Sequence, residues 1–119
     1  MSSITREAIE VFLHGQVTAW NGGDKDGFLA HYRAVAPGGL TIEYVGHLPS
    51  NGWPVLETMW EQQNAKIEIE EVAVIINGNE VACHNRNMIK GSALAIDTIE
   101  LYRFDDDGCV TVRYFIRQP

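Results

Sequence analysis

Along Ser92 to Phe104 the alternate residues Leu94, Ile96, Thr98, Glu100, Tyr102 and Phe104 share one face of an expected strand, and Glu100 is its only charged member. An ionised acid among apolar neighbours is costly, so Glu100 must hold a proton or find hydrogen-bond donors, unless it sits near a sheet edge and reaches water. A carboxyl group in such a setting is a candidate for proton transfer. Gln16 is a second candidate, because it shares a helix face with Phe12, Leu13 and Trp20 and is expected to point inward. Its amide then needs a partner, either a backbone carbonyl or a bound molecule.

The elements that would position these residues fall into a helical first half and a sheet-like second half. Ile9, Phe12, Leu13, Gln16, Val17 and Trp20 recur at helical spacing behind the cap candidates Ser3 and Thr5, and Gly22-Gly23 ends the run. Asp24 can cap a second helix carrying Phe28, Leu29 and Tyr32, which stops before Pro37-Gly38-Gly39. A short strand is expected over Leu40 to Val45. Gly52-Trp53-Pro54 opens a third helix whose apolar side carries Leu56, Met59 and Trp60. After Asn64 the period changes to two, giving strands Ile67 to Ile76, Glu80 to Ile89, Ser92 to Phe104 and Cys109 to Arg117. Asn77-Gly78-Asn79, Lys90-Gly91 and Asp105 to Gly108 serve as the turns between them. Helices followed by an antiparallel meander define an α+β domain, here one domain spanning residues 1–119, with the helices on one sheet face. Ala93, Ala95, Ile99 and Leu101 make the other face of the third long strand apolar too, which calls for a second copy of the chain to cover it.

Charge and composition exclude several function classes. Sixteen acidic against nine basic residues give a net charge of -7, which opposes a nucleic-acid backbone or an anionic membrane surface. Arg6, Glu7 and Glu10 interrupt the first thirteen residues, so these read as neither a signal-peptide core nor a membrane span. A cytoplasmic protein with reduced Cys83 and Cys109 is expected. No histidine pair with a carboxylate marks a metal site, no glycine loop opening a helix marks a phosphate or cofactor site, and no serine has an evident base. Glu68, Glu70 and Glu71 read as a solvated strand face near an edge.

The element order, the helix ending Ala19-Trp20-Asn21-Gly22-Gly23-Asp24, and Ile99-Glu100-Leu101-Tyr102-Arg103-Phe104 followed by an acidic turn and Gly108 resemble the nuclear transport factor 2-like (NTF2-like) superfamily. Within it the chain is most similar to ketosteroid isomerase-like and SnoaL-like small enzymes. That resemblance implies a cone of three N-terminal helices on a curved antiparallel sheet, around a cavity for a small-molecule substrate and without a cofactor. It also implies an acid held neutral to donate a hydrogen bond, as the steroid isomerases do, and this role falls on Glu100. Anchoring on Gly46, Pro49 and Gly52 places the family's general base on Glu43, whereas anchoring on Thr41 places it on Tyr44; the three-point match is preferred. The enolate-binding tyrosine of the family becomes Gln16. A supporting tyrosine is kept as Tyr32, while another becomes Trp60.

The cavity face of the second long strand would carry Asn85 and Asn87, suited to a partly polar substrate. Asn85 and Asn87 also stand where an epoxide hydrolase of this fold needs its aspartate-arginine-aspartate set. Met59 and Tyr102 complete the expected lining, with His47 at the mouth. The reading is an isomerase, cyclase or dehydratase acting beside a carbonyl, with Glu43 as base and Glu100 kept neutral by Tyr102, Phe104 and Trp60. The competing reading is a non-catalytic ligand-binding or assembly module of the same fold.

Overall fold

The computed structural model describes residues 4–116, so the cap candidate Ser3 and the expected strand end Arg117 lie outside the described residues. Helix α1 (Arg6–Asn21) starts where Thr5 leaves extended backbone and its Oγ1 accepts the Ala8 N–H at 3.1 Å. One of the donors that a helix start leaves free is thereby satisfied. The buried stripe Ile9, Phe12, Leu13, Gln16, Val17 and Trp20 follows the spacing of one helix face. The helix stops at Gly22-Gly23, where Gly23 takes φ +71°, a conformation that costs little only without a Cβ. Helix α2 (Lys25–Val35) follows at once, with Asp24 Oδ1 accepting the Gly27 N–H at 3.0 Å.

Strand β1 (Gly39–Tyr44) leads through the two-residue β2 (Ser50–Asn51) into helix α3 (Gly52–Gln63). Gly52 lets α3 approach β1 closely, since a Cβ there would lie 2.4 Å from Leu40 Cγ. Strands β3 (Ile67–Asn77), β4 (Glu80–Ile89), β5 (Ala95–Phe104) and β6 (Cys109–Ile116) form the meander. The three helices pack on one curved, open sheet of order β2-β1-β6-β5-β4-β3.

Three details differ from the sequence reading. The sheet is mixed rather than wholly antiparallel, because β1 pairs parallel to β6, with Leu40, Ile42 and Tyr44 opposite Val110, Val112 and Tyr114. Parallel neighbours need a long connection, and here α3 and four strands supply it. Strand β5 begins at Ala95 instead of Ser92: Gly91 takes φ +77° and Ser92 Oγ accepts the Leu94 N–H at 2.9 Å, so the turn extends to Leu94, which is 68% exposed. Glu71 leaves the solvated face, because alternation from Ile67 and Ile69 turns it inward opposite Asn85, and the register of β3 shifts only beyond it, between Glu71 and Ala73. It is held by the His14 ring at 2.9 Å, whereas Glu70 stays outside with Arg86.

The end of α1 has a second task at the free edge of β3. Trp20 Nε1 donates to the Ile67 carbonyl at 3.0 Å, and Asn21 both donates to the Ile69 carbonyl (2.9 Å) and accepts its N–H (2.8 Å). Backbone groups that would otherwise recruit another strand are thereby paired. Phe12, Phe28, Tyr32, Tyr102 and Phe104 form the aromatic centre of the core, with Phe12 edge-on to Tyr32, Tyr102 and Phe104.

Candidate functional site

Between the helices and the inner sheet face lies a cavity of about 310 Å³. Its polar wall comes from the inward alternation of β4 (Asn85, Asn87), β5 (Thr98, Glu100), β6 (Tyr114) and β1 (Tyr44), with Gln16 of α1, Tyr32 of α2 and Gln63 of α3 from the helices. The apolar wall includes Trp20, Phe28, Met59, Ile67, Ile69 and Ile96.

Glu100 is the centre of this arrangement. It is 7% exposed, and its carboxyl accepts three hydrogen bonds: Tyr102 O–H to Oε1 at 2.6 Å, Asn85 Nδ2 to Oε2 at 3.0 Å and Thr98 O–H to Oε2 at 3.1 Å. One relay stands behind these donors: Asn87 Nδ2 donates to Thr98 Oγ1 at 3.2 Å.

The electrostatics follow from burial without a counter-charge. Burial raises the Glu100 pKa above its ordinary value, and the donors Tyr102, Asn85 and Thr98 pull it back without cancelling the rise. Tyr102 therefore acts against the role expected for it: its hydroxyl favours the ionised acid, and the apolar surroundings favour the neutral one. Burial and then the Glu100 charge raise the Tyr44 phenol, which makes it a hydrogen-bond donor at neutral pH rather than a base. The Cys83 thiol, buried on the same sheet face, is pushed up to about 12 and is a poor nucleophile. Among the described residues no group of three histidine, cysteine or acidic side chains could hold a metal ion.

The structure brings Glu100, Gln16, Tyr32, Tyr44, Met59, Asn85 and Asn87 to one cavity, with Tyr102 bonded to the acid from within β5. It does not bring Glu43 there. Glu43 lies on the other face of β1, where Arg113 Nε donates to its Oε1 at 3.3 Å. Trp60 stands behind the wall, packed edge-on against Trp20 at 5.2 Å, so it does not touch the acid it was expected to keep neutral. His47 is exposed in the turn after β1 and lies off the cavity lining. Trp53 packs under Arg33, 6.0 Å from the guanidinium carbon to the ring, which leaves Trp20 as the tryptophan in the wall. Tyr114 and Gln63 escaped the sequence reading, although the alternation Val110, Val112, Tyr114 carried a signal for the first.

Three inner-wall strands, a helix-covered curved sheet and a buried acid define an α+β cone with a pocket, and that fold is NTF2-like. Solved structures similar to it include an NTF2-like protein of unknown function from Burkholderia xenovorans (15% identity, 95% of this chain and 85% of that one, TM-score 0.74). A SnoaL-like protein of unknown function from Burkholderia thailandensis is also similar (21% identity, 98% and 100% covered, TM-score 0.65). So is an LEH-like epoxide hydrolase from M. tuberculosis (18% identity, 95% and 84% covered, TM-score 0.66). No protein-family model and no curated protein matches the sequence.

Proposed function

We propose that this chain is a cofactor-independent enzyme that moves a proton next to a carbonyl of a small, partly polar organic molecule, as an isomerase, cyclase or dehydratase. The observation that carries the reading is Glu100, a buried acid that lines the cavity among neutral donors. With Glu43 on the outer face, Glu100 serves as both base and acid. Its ionised form takes the proton from the carbon beside the carbonyl, and the electron pair of that C–H bond moves onto the carbonyl oxygen as an enolate. The same proton then returns to a second carbon, and the electron pair goes back. Gln16 and Tyr44 donate hydrogen bonds to the oxyanion in between. The epoxide-hydrolase set finds no support in this cavity, where amides stand in place of the aspartates and no arginine is among the described lining residues.

A second reading, a non-catalytic pocket protein, draws support from the three donors on Glu100, since a purely structural carboxylate would be held the same way. One experiment separates the two. A panel of small ketones and non-conjugated enones is incubated with the protein in D2O, and NMR follows deuterium uptake and double-bond migration. Enzymatic function requires exchange that falls about 10²- to 10⁴-fold in Glu100→Gln and stays unchanged in Glu43→Gln. Binding without exchange by any of them would leave the pocket-protein reading standing.

A second copy is the proposed partner of the outer sheet face, where Ile99 pairs with Phe115 and Leu101 lies nearby. Ile99 is 43% exposed in the single chain. A dimer by light scattering that Ile99→Asp converts to monomer would support this, and a wild-type monomer would end it. The unpaired Cys83 and Cys109 fit a cytoplasmic setting, and the net charge of -7 disfavours nucleic acid and membrane as partners.

A further inference from the structure

Three features narrow what kind of molecule enters the cavity. Among the described lining residues Glu100 is the only carboxyl, and there is no lysine, arginine or histidine. A ligand carboxylate or phosphate would therefore meet a buried acid with nothing to offset the repulsion. Gln16 is 5% exposed and lines the cavity, and its side-chain amide has no hydrogen-bond partner among the described residues. A primary amide offers both a donor and an acceptor, which a carbonyl, hydroxyl or amide of an uncharged molecule can satisfy.

The third feature is the mouth. Tyr44, Met59 and Gln63 line the cavity and also a neighbouring groove of about 430 Å³, whose remaining described walls are Pro54, Val55, Thr58 and Gln62 of α3. Cavity and groove thus meet at three shared side chains. The groove walls carry no charged residue among those described, so a chain lying there would meet methyl, methylene and amide surface. A molecule confined to the cavity would leave this surface to water.

We infer that the site takes an elongated, uncharged molecule: an oxygen-bearing head bonded to Gln16 beside Glu100, and an apolar tail that leaves past Tyr44, Met59 and Gln63 to lie along α3. The inference rests on reading the cavity as a ligand site, and it adds the charge class and shape of the ligand. An organic cation is the nearest competitor, because Glu100 is acidic. Tyr102, Asn85 and Thr98 already use three of the about four acceptor positions of the carboxyl group, however, so a buried ammonium would find a single place on Oε1 for its three donors.

The test uses four probes of graded length and charge, 2-pentanone, 2-nonanone, nonanoate and nonylammonium, titrated into the protein at about pH 8, where the last two are ionised. Calorimetry reads the affinities, with Trp20 fluorescence as a second signal. The expected order puts 2-nonanone about tenfold or more ahead of 2-pentanone, for the extra methylenes in the groove, and ahead of both ions by at least as much. Thr58→Asp should narrow the gap between the two ketones, and Gln16→Leu should weaken both. Nonanoate or nonylammonium binding as tightly as 2-nonanone overturns the uncharged head, and equal affinity of the two ketones overturns the groove. Failure of all four to bind below about 1 mM overturns the inference as a whole. Ketone binding without exchange in D2O would instead remove the proton-transfer reading and leave this one intact.

Discussion

The two faces of the sheet treat their acids in opposite ways. On the outer face carboxylates sit beside basic groups: Glu43 has Arg113, Glu70 has Arg86, and Asp97 has His84 and Arg86, as Asp105 in the following turn has Arg103. On the inner face Glu100 has only a phenol, an amide and a hydroxyl. Opposite charges near water satisfy an acid and leave it nothing further to do. Neutral donors in a dry pocket hold an acid in place while leaving its proton exchangeable, which suits chemistry. The contrast accounts for why Glu100, rather than Glu43, carries the functional reading.

Packing should separate the faces most strongly. Phe104 on the inner face of β5 is 2% exposed, whereas Phe115 on the outer face of β6 rests against the Arg113 guanidinium at 5.3 Å. Phe104→Ala should cost about 3–5 kcal/mol in urea unfolding, and Phe115→Ala, measured on the monomer, about 1 kcal/mol or less. Equal losses would mean that the outer face is buried as deeply as the inner one. The next largest effect is polar. Tyr102→Phe removes the donor to Glu100 Oε1 and should cost about 1–3 kcal/mol at neutral pH. A neutral outcome would show that water takes over the hydroxyl's place at the acid.

Much of this division can be read from the sequence, for a definite reason. Period-two alternation fixed the inner face of β4 and β5, and with it Asn85, Asn87 and Glu100, because these strands run without a bulge. Helical spacing placed Gln16 inward, and Gly22-Gly23 marked the end of α1. On β1 the choice between Glu43 and Tyr44 was a choice between opposite faces, and matching glycines and a proline in the following loop carry no information about strand parity. β2 escaped detection because two residues have no period, and Ser50–Asn51 form a strand only by pairing with Thr41 and Ile42. Glu71 cannot share a face with Glu70, because neighbours on a strand point to opposite sides; it follows Ile67 and Ile69 inward, and the bulge at Val72 begins only after it. The parallel pairing of β1 with β6 is likewise a long-range contact that no local pattern encodes.

Titration offers a smaller but sharper contrast. Burial raises the Glu100 pKa from its ordinary value of 4.5, against the pull of Tyr102, Asn85 and Thr98. Between the unfolded value and the raised folded one, the native chain keeps a proton that the unfolded chain has released. Stability therefore falls as pH rises through that window, by about 1.4 kcal/mol for each unit of separation, and levels off above the folded pKa. Glu100→Gln cannot titrate, so the unfolding free energy of the variant relative to wild type should climb from about pH 4.5 upward. Urea midpoints at a series of pH values measure it. A flat difference would mean that Glu100 titrates alike folded and unfolded, and the contrast between the faces would lose its electrostatic half.

The smallest effect belongs to the outer acid. Glu43 and Arg113 are partly exposed, so solvent screens their attraction, and Glu43→Gln should change stability by less than about 1 kcal/mol. A double-mutant cycle with Arg113→Ala isolates the pair, and its coupling should shrink further in high salt. The same cycle also bears on the proposed second copy. Arg113 lies beside Phe115 and opposite Leu101, within the apolar surface that a partner would cover. If a second subunit seals that surface, the pair loses water and its coupling grows with protein concentration. If the face stays open, the coupling remains small at every concentration, and the outer face is a solvated exterior rather than an interface.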